Sequence, residues 1–198
     1  LRAPRRRTNA EWSVETRSSL LEAARRAFEL EGYDSASIES IASAAQLTKG
    51  AVYHHYKDKR ALFQAVFEIV ERELVVAIEQ VAFGQTTPFD GVVMGCEAFL
   101  DAVVREGVSR IVLVDGPRVL GWKRWREIDA NTGGRSLRQG LEAAMQARQI
   151  VRLDTDALAT LISGALNEAA LMCLGAHSLH RRKAISKALR RLLNGLRL

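Results

Sequence analysis

The sequence predicts an all-α protein: a small helical head followed by a larger helical body. Three observations carry this expectation. The 198 residues include only 3 Pro and 14 Gly, while Ala and Leu abound, a balance that favours long helices over many short strands. Apolar residues recur at helical spacing along most of the chain. A composition of 47% apolar and 26% charged residues is enough to bury a core and excludes disorder of the whole chain. At about 100–200 residues per domain, the length allows one domain, or a small module fused to a larger one.

Residues 1–12 carry Arg2, Arg5, Arg6 and Arg7 with Pro4 and no periodicity, so they read as a flexible basic arm that either reaches a minor groove or is simply solvated. No apolar segment follows, which argues against a secretory signal. The chain opens on Leu1, so a start upstream of this numbering is expected. From Val14, the recurrence of Leu20, Leu21, Ala24, Ala27 and Phe28 predicts a first helix that Gly32 stops. Ser37 is the expected N-cap of a short second helix with Ile38, Ile41, Ala42 and Ala45 inward. Thr48 should cap a third helix over 49–56, and Asp58 a long fourth one, in which Phe63, Val66, Phe67, Val70, Leu74, Ala77, Ile78 and Val81 form one stripe. Thr86, Thr87 and Pro88 mark a loop.

Beyond it, helices are expected at 89–106, 117–129, 136–148, 155–174 and 178–196. Asp154 or Thr155 and Ser178 would cap them, and Gly107, Gly116, Gly133, Gly134 and Gly175 would break them. Arg110 to Val114 is β-branched enough for a strand, but with no partner strand elsewhere it reads as helix. The domain division expected is an arm at 1–12, a head at 13–60 and a body at 61–198.

Charge and cysteine content narrow the function classes. Twenty-nine Lys and Arg against 23 Asp and Glu give +6, which makes a polyanionic partner plausible. Cys96 and Cys173 are too few and too far apart for a disulfide framework or a paired-cysteine metal site. No purely apolar run approaches the roughly 18 residues of a membrane span, so a cytoplasmic protein with no membrane partner is expected. Cys173, His177 and His180 have a spacing that could collect a metal on one helix face, but Gly175 interrupts it, and no metal or other cofactor is expected. No nucleophile elbow, Walker loop or dinucleotide fingerprint occurs, so catalysis is not expected either.

The stretch from Ile38 to Tyr56 fits a helix-turn-helix. Ala42 gives the small residue where the helices cross, Gln46 stands at the turn, and Ile41, Ala45, Leu47 and Val52 lock the pair. The outer face of the second helix would carry Thr48, Lys49, Tyr53, His54 and Lys57, with Gly50 in its first turn for close approach. Lys49 and His54 can donate to guanine N7 or O6, while Tyr53, Lys57, Lys59 and Ser37 can hold phosphates.

The block from Leu20 through Phe67, above all Gly32-Tyr33, Ile38-x-x-Ile41-Ala42 and Ala45-x-Leu47-Thr48-Lys49-Gly50-Ala51-Val52-Tyr53-His54-His55-Tyr56-Lys57-Asp58-Lys59, resembles the DNA-binding domain of the TetR family of transcriptional regulators. The resemblance implies a homodimer whose heads enter successive major grooves. It also implies a variable C-terminal domain that binds an inducer and dimerises through its last two long helices. Carried over position by position, base contacts fall on Thr48, Lys49, Gly50 and His54, and phosphate contacts on Ser37, Tyr53, His55 and Lys59, with Lys57 beside them. Gln46 departs from the glycine usual in that family's turn. The segment Arg110 to Asp129 is similar to one in a subgroup of these regulators.

In the body, Trp122 and Trp125 stand at i, i+3 beside Arg118, where they either wall a ligand cavity, with Asp115 or an arginine orienting a polar group, or pack the core. Cys96, Phe99, Leu100, Val103, Met145 and Met172 are further candidate lining residues. The dimer face is expected on Leu158, Leu161, Ile162, Ala165, Leu166 and Ala169 and on Ile185, Leu189 and Leu192. The function expected is a ligand-responsive repressor that binds a palindromic operator as a dimer and is released by a small apolar or amphipathic molecule. A transcriptional activator or a helical protein-interaction module is the alternative.

Overall fold

The structure, a computed structural model, describes residues 9–105, 107–175 and 178–198. Every named element among them is a helix, and the sole β pairing there is an isolated bridge between Ile150 and Arg197. The chain forms two compact units, one ending at Phe67 and the other running from Glu68 to Leu198. The boundary thus falls a little later than the expected 60/61, because the first turns of the fourth long segment pack with the head.

The head contains α1 (Asn9–Leu30), α2 (Gly32–Ser35), α3 (Ile38–Ala44), α4 (Lys49–His55) and the start of α5 (Lys59–Phe83). Helix α1 begins within the segment expected to be a free arm, so the arm is at most the first eight residues, and the arginines at positions 2 and 5–7 lie outside the described residues. Gly32, at φ +82°, stops α1 as expected. Leu20, Ala24 and Phe28 of α1, Ile41 and Ala42 of α3, Val52 of α4, and Leu62, Phe63 and Phe67 of α5 fill the core. Phe63 meets Phe28 and Tyr33 edge-on, at 5.2 and 5.3 Å between ring centres, the preferred aromatic geometry.

The body continues α5 and adds α6 (Pro88–Val103), a π-helical turn (Arg110–Asp115), α7 (Gly116–Leu120), α8 (Trp122–Asn131), α9 (Gly133–Gln146), α10 (Thr155–Met172) and α11 (Ser178–Asn194). The hydroxyl of Thr87 caps α6 and the carboxylate of Asp154 caps α10. Two expectations are corrected. The single helix expected over 117–129 is split at Gly121, which takes φ +79°. Gly116, Gly133 and Gly134 are helical rather than breaks; a Cβ on Gly134 would stand 3.2 Å from the Asp129 carbonyl, so its bareness lets α9 start against the end of α8. The segment 110–115, strand-like in composition, is a π-helix, and the buried Trp125 indole N–H donates to its Val112 carbonyl at 2.9 Å.

Candidate nucleic-acid interface and ligand cavity

Helix α3 is fixed at its start by a reciprocal box: Ser37 accepts from the Ser40 amide, and the Ser40 hydroxyl accepts from the Ser37 amide. At its end Gln46 takes φ +58°. The Leu47 amide donates to Ala42 and the Gln46 amide to Ser43, at 2.8 and 3.0 Å, which is a Schellman closure. A left-handed residue with a side chain costs about 1–2 kcal/mol, and these two bonds together with buried Ala45 and Val52 hold it there. Thr48 then caps α4 by accepting from Ala51.

On α4, Thr48, Lys49, Gly50, Tyr53 and His54 are exposed and His55 is half-buried, while Val52 is fully covered. A Cβ on Gly50 would meet only the Thr48 hydroxyl, at 3.8 Å, so this turn presents its backbone to solvent. Lys49 is ion-paired with Glu39 of α3, also exposed, and its ammonium stands 5.9 Å from the Tyr53 ring centre. The hydrogen bond to Glu39 is the main cause that holds the Lys49 ammonium above its ordinary range. Lys57 is exposed.

Lys59 is placed differently from the expected phosphate grip. Its ammonium donates to the carbonyls of Tyr33, Asp34 and Ala36, at 2.7, 3.3 and 2.9 Å, and lies 4.4 Å from the Tyr33 ring centre. All three donors of an ammonium are thereby used, so Lys59 ties the end of α2 to the start of α5. Ser37, likewise, spends its hydroxyl on the box at the start of α3.

Within the body, α5, α6, α8, α9 and α10, with the loop at 85–87, line a partly open cavity of about 380 Å³. Of the expected lining residues, Cys96 and Phe99 reach it. Leu100, Val103, Trp125 and Met145 are buried in the core instead, and Asp115 is buried in an ion pair with Arg118 at 2.8 Å. Trp122 and Met172 are exposed, at 67% and 53%. The tryptophan rings are tilted against each other, 5.0 Å between centres, with Arg126 over both, and neither lines the cavity. Burial pushes the Cys96 thiol up to about 12, aided by Glu97, so it lines the cavity as a neutral group.

The polar end of the cavity is not among the sequence expectations. Asp129, Ser163 and Asn167 line it. Arg126 donates to Asp129 Oδ2 at 2.8 Å, and Ser163 Oγ donates to the same oxygen at 3.3 Å. The available signal is the i, i+4 spacing of Ser163 and Asn167 on the otherwise apolar inner face of α10.

The expected dimer residues divide. Leu161 and Leu192 are each 72% exposed, and Ala165 is exposed with Gly164 beside it. Ile162 and Leu166 are instead buried within the subunit, and Leu166 lines the cavity. Leu158, Ala169, Ile185 and Leu189 are half-buried. Of the metal candidates, Cys173 is buried, His180 is exposed and His177 lies outside the described residues; no cluster that could hold a metal occurs among the described residues. No described helix is long and apolar enough to cross a membrane.

Residues 20–66 match the family of bacterial regulatory proteins, tetR family, and residues 89–196 match the tetracyclin repressor-like C-terminal domain. A TetR-family regulator from Pectobacterium atrosepticum is 32% identical and superposes with a TM-score of 0.81, covering 97% of this chain and 98% of that one. The regulator RolR, in a complex with resorcinol, has the same fold at 20% identity and a TM-score of 0.73, over 93% of this chain and 90% of RolR. The TetC protein of transposon Tn10 from Escherichia coli is 26% identical over 149 residues, 75% of each chain. Three further curated relatives are matched over only 32%, 42% and 37% of their own length. The family matches across head and body, together with the exposed capped helix that follows the Gln46 turn, show that this chain belongs to the TetR family of transcriptional regulators, which bind DNA.

Proposed function

We propose that the protein is a homodimeric, ligand-released repressor that binds a two-fold symmetric operator. The observation that carries this reading is α4: a helix capped by Thr48, following a closed turn, with Lys49, Gly50, Tyr53 and His54 exposed and the opposite face packed. Thr48, Lys49, Gly50 and His54 read base edges in the major groove, and Tyr53, His55 and Lys57 hold phosphates. Lys49 leaves Glu39 when it meets DNA, and Lys59 acts as the tie between the end of α2 and the start of α5. Ser37 positions α3.

Dimerisation uses α10 and α11. Leu161, Gly164 and Ala165 form an exposed strip at i, i+3, i+4 on α10, with Met172 further along, and Leu192 is exposed on α11. A Cβ added to Gly164 would have no neighbour within 4 Å, which favours close helix approach by a second copy. Two reading helices then lie about 34–36 Å apart, or a multiple of it. The cavity is the inducer site: a ligand that prefers the arrangement of subunits unable to span the operator lowers DNA affinity by its differential binding, typically about 1–3 kcal/mol.

Selection of bound duplexes from a random pool tests the reading. A palindromic consensus with half-sites one turn or a multiple apart is the expected product. Enrichment of no sequence, or of a single unrepeated half-site, overturns it.

A further inference from the structure

The side-chain amide nitrogen of Asn167 is buried and has no hydrogen-bond partner among the described residues, and Asn167 lines the body cavity. A buried donor without a partner carries the full penalty of its lost hydration, and such groups in folded proteins almost always have one. The surroundings show what partner would fit. One turn earlier on α10, Ser163 also faces the cavity; its hydroxyl donates to Asp129 and accepts from Arg126, both at 3.3 Å. The polar end therefore offers a donor, Asn167 Nδ2, about one helical turn from an acceptor pair, Ser163 Oγ and the Asp129 carboxylate.

The remaining wall decides the charge and bulk of the occupant. Val75, Ile78, Val92, Phe99 and Leu137 are apolar, Gln85, Thr86, Thr87, Ser136 and Gln139 are polar but uncharged, and no Lys, Arg or His is among the described residues that line the cavity. An anionic ligand would face Asp129, and Arg126, which donates to Ser163, is already paired with that carboxylate. A pure hydrocarbon would fill the apolar part but leave Asn167 unpartnered. At about 380 Å³ the cavity is near the lower end of the usual range of about 300–1,000 Å³ for ligand sites.

We propose that the ligand is a small, neutral, mainly apolar molecule with a hydroxyl group, whose oxygen accepts from Asn167 Nδ2 and whose O–H donates to the Ser163–Asp129 pair. This rests on the reading of the cavity as the inducer site. Where water fills the polar end of the empty protein, a hydroxyl reproduces its hydrogen bonds on displacing it, whereas a hydrocarbon does not.

The test uses the full chain and three probes of matched shape: 4-butylphenol, butylbenzene and 4-butylbenzoate. Binding is measured by calorimetry, and release of the operator by fluorescence anisotropy. The phenol is expected to bind about tenfold tighter than either of the others and to release DNA at correspondingly lower concentration. In Asn167→Leu, the phenol should lose that advantage over butylbenzene, and Ser163→Ala should reduce it. Equal binding of phenol and hydrocarbon, tighter binding of the benzoate, or an undiminished phenol advantage in Asn167→Leu overturns the hydroxyl assignment while leaving the cavity as a binding site. Binding of no probe to the wild-type chain overturns the inducer-site reading, and the assignment with it. Tight phenol binding without DNA release sustains the assignment and removes only the inducer role.

Discussion

Among the described residues, the head leaves its charged side chains at least partly exposed around a core that includes Phe28, Phe63 and Phe67; the body buries charge. Among the described residues, the four most buried polar or charged side chains, Glu71, Glu97, Ser109 and Asp115, all belong to the body. The head's ion pairs Arg26–Glu22 and Lys49–Glu39 have more than half of each side chain exposed. In the body, Glu97 is 5% exposed and accepts from Arg182 at 2.7 Å and from the Ser186 hydroxyl at 2.6 Å, with Arg190 at 2.8 Å. A head that must present one surface to DNA is served by a tightly packed apolar core with uniform tolerance of surface change. The body instead carries buried polar groups whose satisfaction depends on conformation.

Removing one partner from each kind of pair should separate the two units most clearly. Glu97→Ala leaves Arg182, which is itself largely covered, with the exposed Asp101 as its remaining carboxylate. Such a break typically costs about 3 kcal/mol or more and should lower the midpoint of denaturant unfolding. Arg26→Ala, which removes an exposed i, i+4 pair of α1, should change stability by less than about 0.5 kcal/mol. Equal effects of the two substitutions would abolish the distinction between the units.

The pH dependence of the body sharpens the same contrast, because its two buried glutamates titrate in opposite senses. Burial raises the Glu71 carboxyl from 4.5 to about 7, with Asp129 adding to the rise and the hydrogen bond from Thr132 opposing it. Between pH 4.5 and 7 the folded chain therefore holds a proton that the unfolded chain has lost, and stability falls as pH rises. The full effect is roughly 3 kcal/mol, reached above pH 7. Glu71→Gln keeps an acceptor for Thr132 and should raise the melting temperature at about pH 8 while leaving it unchanged at about pH 4. Burial pushes Glu97 up as well, but the Ser186 hydroxyl, Arg182 and Arg190 outweigh it and hold the carboxyl below its ordinary range. Its contribution is present above about pH 4.5 and is lost as the pH falls through the lowered value. A melting temperature at the higher pH unmoved by Glu71→Gln would remove the buried-acid account.

Legibility in the sequence follows the same division. Caps at Ser37, Thr48 and Asp58 and the stop at Gly32 are readable because each depends on a local backbone bond made by that residue type. The turn at Gln46 is readable from spacing even without a glycine, since the lock of Ile41, Ala45 and Val52 fixes it from both sides. The cavity is not readable. Trp122 and Trp125 are candidates by size alone, but whether an aromatic walls a void or fills a core is set by elements distant in sequence. Here Gly121 breaks the helix and turns Trp125 inward onto Val112. Asn167 is marked only by its i, i+4 spacing from Ser163 on an apolar face, which does not say that its amide nitrogen is buried. Lys59 shows the limit on the other side: the motif suggests a phosphate grip, yet its ammonium is engaged by the carbonyls at 33, 34 and 36, which no spacing rule reveals.

On the head, the smaller effects should appear in DNA binding rather than stability. Lys49→Ala should relax preference at one base pair per half-site by roughly tenfold, read from the sequences selected by the variant; an unchanged consensus would show that Lys49 does not read a base. Glu39→Gln should do less and in the other direction. Lys49 is drawn towards Glu39, so the free protein must give up this pair before the ammonium reaches DNA, and the Glu39 carboxylate also repels the approaching phosphates. The glutamine keeps the shape and a weaker hydrogen bond but removes the charge. Affinity should rise a few-fold for operator and unrelated duplexes alike, and the gain should fade as salt screens the repulsion. A gain confined to the operator would instead make Glu39 part of sequence readout, and the two exposed partners would then act as one reading unit.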